Sequence, residues 1–335
     1  IGSSEAGGWW GHEFKRTGFD ALIIHGRAEK PVYLWIKDES VEFRDAGHLW
    51  GQKTYPVEQA IRRELGDERV RIAQIGPAGE NQVLYAAVMN DVNRAAGRNG
   101  IGAVMGSKNL KAVAVRGTKA VPVAARKEVT KVAKWLGDNY KELSGWAARN
   151  IGQGTQGILT SLAHVGGLPT KNFGAPVFEN PELLGGDRNY EMLLEDRDTC
   201  QVCPIECKQV FAYDDPDPYR KISAEYGGPE YEAMGAFGSN CGVDDNIAVS
   251  KANELANAYG LDAISTGMSI GFMMESFEQG AIGLEDTGGT AFHWGDAELL
   301  VKAVEMIALR QGIGDVMAEG VERMSKRFGP QTEPF

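Results

Sequence analysis

Three of the four cysteines in this 335-residue chain fall in one short run, Cys200-Gln201-Val202-Cys203-Pro204-Ile205-Glu206-Cys207. Thiolates this close together bind soft metals, and the C-x2-C-x3-C spacing is too tight for a disulfide framework. A structural zinc site takes two separated cysteine pairs, or a pair with histidines, and no second C-x2-C or H-x3-H partner is present. A cubane iron–sulfur cluster takes several ligands from one loop and another from elsewhere, which the run fits better. Unmetallated thiols are the bland alternative. The fourth cysteine, Cys241, stands in Gly238-Ser239-Asn240-Cys241-Gly242 and reads as a small buried hydrophobe in a turn.

A second candidate is the glycine-rich stretch from Arg94 to Asn109, with Ala95, Gly97, Arg98, Gly100, Gly102 and Lys108. Glycines let the backbone approach a ligand, successive N–H groups can face an anion, and Arg98 or Lys108 adds charge. Gly100-x-Gly102 has the outline of a dinucleotide loop. Position 105 is Met where a third glycine is required, however, and no acidic residue follows in a βαβ frame. A phosphate or pterin cradle is the better reading, against a turn that needs glycine only for packing. The opening Ser3-Ser4-Glu5-Ala6-Gly7-Gly8-Trp9-Trp10-Gly11 has a similar character and reads equally well as an exposed terminus.

The third candidate is Gly227-Gly228-Pro229-Glu230-Tyr231-Glu232, two carboxylates flanking a tyrosine on a constrained turn. In a dry pocket such a glutamate has its ionised form disfavoured and can serve as a general base. The alternative is the first turn of a helix, where acids complement the dipole. His12, His25, His48, His164 and His293 are scattered without ligand spacing.

These groups need a scaffold. Ala21–His25, Val32–Ile36, Val41–Arg44, Arg71–Ile75, Val83–Val88 and Ala112–Val115 read as short strands, with one helix at Pro56–Leu65. After Val121 the pattern turns helical, over Lys127–Leu143, Pro181–Leu194, Ile247–Tyr259, Ala297–Leu309 and Val316–Phe328. A β-rich unit (1–120) followed by a mainly helical unit (121–335) predicts an α+β fold, with a boundary near 118–126. The balance of 35 Lys+Arg against 46 Asp+Glu gives a net charge of −11, which argues against nucleic acid as a partner. The longest apolar run, Ala263–Met274, is too short to span a membrane. The start at Ile1, without an initiator Met, reads as part of a longer chain.

Gly97 to Ala112 resembles the hallmark of the tungsten-containing aldehyde:ferredoxin oxidoreductase family. Ile75 to Asn81, Met89-Asn90-Asp91, Cys200 to Cys207, Gly228 to Glu232 and Tyr259-Gly260-Leu261-Asp262 follow in the family's order. The resemblance covers essentially the whole chain. It begins inside the family's N-terminal β domain and ends before its last helical domain. It implies a tungsten (or molybdenum) atom held by two pterins, a [4Fe–4S] cluster beside one of them, and oxidation of aldehydes to carboxylates. Electrons would pass through the cluster to ferredoxin or a dedicated Fe–S subunit, in the cytoplasm.

Carried over by motif, Cys200, Cys203 and Cys207 match three cluster ligands, and the fourth belongs to the absent domain. Glu232 matches the acid/base or water-positioning glutamate near the metal. Gly7, Gly8, Arg94, Gly97, Arg98, Gly100 and Gly102 fall in cofactor-binding segments. Ala95 matches a carbonyl that helps bind the magnesium bridging the pterin phosphates. Glu5 stands where the best-known members place an Asn magnesium ligand, and a carboxylate suits Mg²⁺. Asn257-Ala258-Tyr259-Gly260-Leu261-Asp262 resembles the first of two D-x-x-G-L-D/C pterin motifs, with Asn257 able to accept but uncharged. Lys251-Ala252-Asn253-Glu254 replaces the E-x-x-H iron pair of some members, which removes that iron and leaves homo-oligomerisation open. The runner-up readings are a reductive member of the same cofactor family, acting on carboxylic acids or aromatic acyl-CoA thioesters, a cluster-only electron-transfer subunit, and a zinc-stabilised interaction protein.

Overall fold

A computed structural model describes residues 1–143 and 152–335. The strand-like runs of the first part form β1 (Val32–Lys37), β2 (Ser40–Asp45), β3 (Arg71–Gln74), β4 (Val88–Asn90), β5 (Arg94–Ala96) and β6 (Leu110–Arg116). They make one sheet in the order β2-β1-β6-β3-β4-β5. β1 and β6 run parallel and the other neighbours antiparallel. Both faces are covered. Leu34 and Ile36 point to one side with Phe14, Val113 and Val115; Tyr33 and Trp35 point to the other, with Ile72, Ala112 and Ala114. The helix Thr54–Leu65 covers that second side through Val57 and Ile61. A strand covered on both faces has no solvent side, so β6 is buried throughout and reads as nearly continuous apolar sequence.

Glu58 lies on the buried flank of that helix, with Arg62 2.6 Å away and its own Oε2 lacking a hydrogen-bond partner. Burial pushes its carboxyl up to about 7 despite the pull of Arg62. The unfolded group ionises near 4.5, so the folded state holds the proton more tightly. Stability is therefore full below about pH 4.5 and falls as pH rises to about 7, by about 3 kcal/mol at most. Glu58→Gln is expected to flatten that slope, measured as urea midpoints from pH 4 to 8. An unchanged slope would refute it.

The second part is mainly helical, and the fold as a whole is mixed α/β. The helices Asn246–Tyr259, Ala263–Glu278 and Ala297–Leu309 are N-capped by Asp245, Asp262 and Asp296, each accepting a backbone N–H. Their core takes in Ala78, Val83, Tyr85 and Ala86 from the sheet side. Backbone bonds cross the seam: Ala87 N donates to Gly260 O at 2.8 Å and Asp262 N to Tyr85 O at 3.1 Å. A Cβ on Gly76 would lie 2.2 Å from the Tyr259 carbonyl oxygen, and one on Gly260, at φ 75°, 2.7 Å from Gly76 N. Only glycines permit this approach of the two main chains.

Several elements differ from the sequence-based expectation. Ala21–His25 forms no strand; β1 already has a neighbour on each side, and Ile24 packs over the sheet instead. Val83–Val88 contributes only Val88 to a strand, because Leu84 N and Ala87 N donate to Ala318 O and Gly260 O. Pro181–Leu194 breaks at Gly185 into Pro181–Leu184 and Gly186–Leu193. Val316–Phe328 breaks before Val321, where Gly320 has φ 82°. Inside the helical region, β7 (Leu194–Asp198) and β8 (Lys208–Phe211) pair as an antiparallel hairpin whose loop carries the three clustered cysteines. Among the described residues no helix is long and apolar enough to cross a membrane.

Candidate functional site

A cavity of about 610 Å³ lies between the sheet and the helices. Five separate stretches of chain wall it. Ser3, Ser4, Glu5 and Gly7 come from the N-terminal segment, and Asn93, Arg94, Ala95, Gly97 and Arg98 from the β4–β5 turn and the residues after it. Lys208, Glu230, Glu232 and Ala233 follow the cysteine loop, and Asn253, Asn257 and Leu261 to Ile264 come from two successive helices.

The β4–β5 turn is held under strain. Asp91 and Val92 take φ 48° and 62°, and for a β-branched residue such a backbone costs about 1–3 kcal/mol. Packing of Val92 with Tyr226 and Ala258 offsets that cost. The turn thereby presents Asn93 and Arg94 to the cavity. Asp91 also accepts from Trp9 N at 2.7 Å, which fastens the N-terminal segment.

That segment is docked on the cysteine loop. Gly8 N donates to Cys200 Sγ at 3.2 Å, Gln201 N to Gly8 O at 3.3 Å, and Trp9 Nε1 to Thr199 O at 3.0 Å. Gly8 has φ 95°, and a Cβ on Gly7 would lie 2.9 Å from Cys200 Sγ. Both glycines answer to close approach. In the loop, Cys203 N donates to Cys200 O at 3.0 Å, and Val202 and Glu206 take positive φ. Burial first, then the charges of Glu230, Cys200 and Cys203, push the Cys207 thiol up, so the three sulfurs feel one another. Among the described residues no three His, Cys, Asp or Glu side chains converge closely enough to hold a metal ion. Cys241 is fully buried in the helical core, and its thiol is pushed up to about 12 by burial.

Arg98 pairs with Asp262 at 3.4 Å. Burial pushes the Asp262 carboxyl up, against the opposing pull of Ser265 and Arg98. Arg94 pairs with Asp198 at 3.2 Å, tying the cavity wall to β7. Lys208 is buried; it donates to Gly228 O at 2.8 Å and lies 3.5 Å from Glu230. Its ammonium is pushed down by burial. Glu232 sits in the first turn after Gly-Gly-Pro and faces the same cavity.

Of the residues singled out from the sequence, Glu5, Gly7, Arg94, Ala95, Gly97, Arg98, Glu232, Asn257, Leu261 and Asp262 line one cavity. Gly100, Gly102 and Gly260 lie outside its lining. A Cβ on Gly100 would fall 2.0 Å from Leu84 O and one on Gly102 2.4 Å from Ala87 O, while Gly102 N donates to Ala86 O. These glycines serve chain packing behind the wall. Among the described residues no histidine lines the cavity. Lys251 and Glu254 close on each other at 2.6 Å as an ion pair. Asn93, Lys208 and Asn253 were not singled out. Asn253 precedes Asn257 by one helical turn, a signal that spacing alone carries.

A family model described as aldehyde ferredoxin oxidoreductase, N-terminal domain, matches residues 1–117, and one described as domains 2 and 3 of the same enzyme matches residues 131–335. The chain belongs to the aldehyde ferredoxin oxidoreductase family. A tungsten-containing aldehyde ferredoxin oxidoreductase of Pyrococcus furiosus is 41% identical over 98% of this chain and 53% of its own length. The aliphatic sulfonate oxidoreductase WOR-like subunit of the same organism is 32% identical over 95% of the chain and 52% of its own length. Among solved structures, the active-site complex BamBC of benzoyl coenzyme A reductase superposes with a TM-score of 0.80 and 27% identity, covering 99% of this chain and 50% of that one. The chain thus spans about half the length of the curated relatives it matches. Membership of the aldehyde ferredoxin oxidoreductase family implies a tungsten–pterin cofactor. The residues present fit such a group: arginines and carboxylates on a large cavity, glycine backbone open at its rim, and a three-thiol loop against that rim.

Proposed function

We propose that the chain forms the sheet domain and the cluster-bearing helical domain of a tungsten–pterin enzyme that oxidises aldehydes to carboxylic acids and delivers electrons to ferredoxin. The observation that carries this reading is the single cavity uniting Glu5, Arg94, Ala95, Arg98, Asn257, Asp262 and Glu232 beside the cysteine loop. In the overall reaction an aldehyde and water give a carboxylic acid, two electrons and two protons. The tungsten–pterin group supplies the oxygen-transfer and two-electron chemistry when bound.

The chain's own residues have distinct tasks in this reading. Arg94 and Arg98 would offer charge to the pterin phosphates, and Glu5 with the Ala95 carbonyl would offer oxygens to magnesium. Asn257 and Asp262 orient the pterin. Cys200, Cys203 and Cys207 would supply thiolates to a [4Fe–4S] cluster. Glu232 takes a proton from the attacking water or the product acid. The cysteine loop touches the N-terminal segment through Gly7 and Gly8, and Gly7 also lines the cavity. A cytoplasmic enzyme working with ferredoxin or a dedicated Fe–S subunit follows from the same reading.

A second reading is a reductive member of the family, favoured by the similarity to benzoyl coenzyme A reductase at 27% identity. The higher identity to aldehyde oxidoreductases, 41%, favours the first. The deciding experiment uses full-length protein purified without oxygen. Tungsten, iron and pterin are counted per chain, and viologen reduction is followed with a panel of aldehydes. Tungsten with iron and aldehyde-dependent reduction is expected; zinc alone would overturn the reading.

A further inference from the structure

The turn that carries Glu232 is held by a distant stretch of chain, Gly154 to Gln156. Gly154 takes φ 64°, and a Cβ there would lie 2.6 Å from the Cys207 carbonyl oxygen, so this backbone is pressed against the end of the cysteine loop. Thr155 makes two hydrogen bonds with one hydroxyl. Its Oγ1 donates to Glu230 Oε2 and accepts from Tyr231 N at 2.9 Å. The second bond satisfies an N–H at the start of the helical turn Tyr231–Ala233, where Glu230 itself makes no side-chain cap. Gln156 is buried. Its Nε2 donates to Pro229 O at 3.2 Å and to Gln209 Oε1 at 2.9 Å, while its Oε1 accepts from Asn189 at 2.6 Å. Asn246, at the start of the helix Asn246–Tyr259, donates to Asn189 Oδ1 at 2.9 Å. A buried chain of amides thus runs from that helix to the residue before Glu230.

A polar network whose members are paired specifies one geometry, because each alternative arrangement leaves a buried group without a partner. Thr155 and Gln156 fix three successive residues, Pro229, Glu230 and Tyr231, and the next residue is Glu232. We propose that Thr155 is a positioning residue that, with Gln156 beside it, sets the aim of Glu232 into the cavity. Thr155 does not itself line the cavity, so it acts through the Tyr231 main chain and the Glu230 carboxylate. The same stretch abuts Cys207, so the cysteine loop and the proton carrier take their relative placement from one short segment. The assignment rests on the reading of Glu232 given above.

Full-length wild type, Thr155→Val and Thr155→Ser, each also combined with Glu232→Gln and purified without oxygen, test it. Valine keeps the shape and loses both bonds; serine keeps the hydroxyl. Thr155→Ala, expected to behave as valine does, guards against a valine variant that misfolds. Thr155→Val is expected to lower kcat at least about tenfold with KM within about twofold, since a misaimed proton carrier is felt in the transition state. Thr155→Ser should stay within about threefold of wild type. In the Glu232→Gln background the valine change should cost less than about twofold more, because the group it aims no longer carries a proton. Amide exchange read by mass spectrometry needs no turnover: the peptide over 227–234 should exchange at least about tenfold faster in Thr155→Val and at the wild-type rate in Thr155→Ser. A valine variant with wild-type kcat, a serine variant as impaired as valine, or a loss that adds in full to that of Glu232→Gln would overturn the assignment and leave the functional reading intact. A wild type inactive with every aldehyde would overturn the functional reading instead, and unchanged exchange in Thr155→Val would then show that Thr155 does not hold the turn either.

Discussion

Full-length protein carrying Cys203→Ser is expected to lose the low-temperature EPR signal of a reduced cubane cluster and to fall below the roughly four irons per chain that such a cluster supplies. Cys203 stands in the middle of the three-cysteine loop. Cys203 N bonds Cys200 O, Thr199 Oγ1 bonds Cys203 O, and Cys200 Sγ already accepts from Gly8. A serine alkoxide is a harder and poorer ligand for iron than a thiolate. Aldehyde-driven reduction of ferredoxin should fall more than about tenfold while pterin content holds, since the pterin cavity is walled by other residues. Cys241→Ala is the comparator. It empties a methyl-sized space in the helical core and should leave iron untouched. Equal iron in Cys203→Ser and wild type, or one zinc per chain in both, would contradict the cluster.

The second large effect is at Glu232. Glu232→Gln preserves size and hydrogen bonding but cannot carry a proton, and general acid–base catalysis is typically worth about 10²–10⁴ in rate, or about 3–5 kcal/mol. The variant should keep wild-type tungsten and pterin contents and lower kcat by that factor. Glu230→Gln should cost less than about tenfold, because both oxygens of Glu230 already face partners, Thr155 and Lys208, on the cavity wall. A Glu232→Gln enzyme with wild-type kcat would move the proton carrier elsewhere.

Much of this was legible before the structure. The sheet could be read because β1, β3 and β6 are apolar, β-branched and bounded by turn residues. The long helices could be read because apolar residues recur at helical spacing over Ile247–Tyr259 and Ala297–Leu309. What local pattern could not show was the destination of hydrogen bonds. Ala21–His25 and Val83–Val88 have strand composition, but neighbouring main chains elsewhere in the fold had already taken the available pairings. The hairpin under the cysteine loop was hidden for a related reason. Leu194–Asp198 and Lys208–Phe211 are charged and short, and their pairing is fixed by the loop they carry rather than by alternation. Within the site, charged and glycine residues stood out by type. Thr155 did not, since its significance lies in bonds to Glu230 and Tyr231 that cross the fold.

The main-chain contact between Gly76 and Gly260 bears on how this cavity tolerates mutation. Where two layers meet through side chains, each substitution in either core shifts their spacing by a fraction of an ångström. Here the layers touch at bare backbone beside the cavity, so the gap is set by main-chain contact and hydrogen bonds in which no side chain takes part. The sheet core and the helical core can then drift in sequence independently, while the opening between them keeps the width its occupant requires.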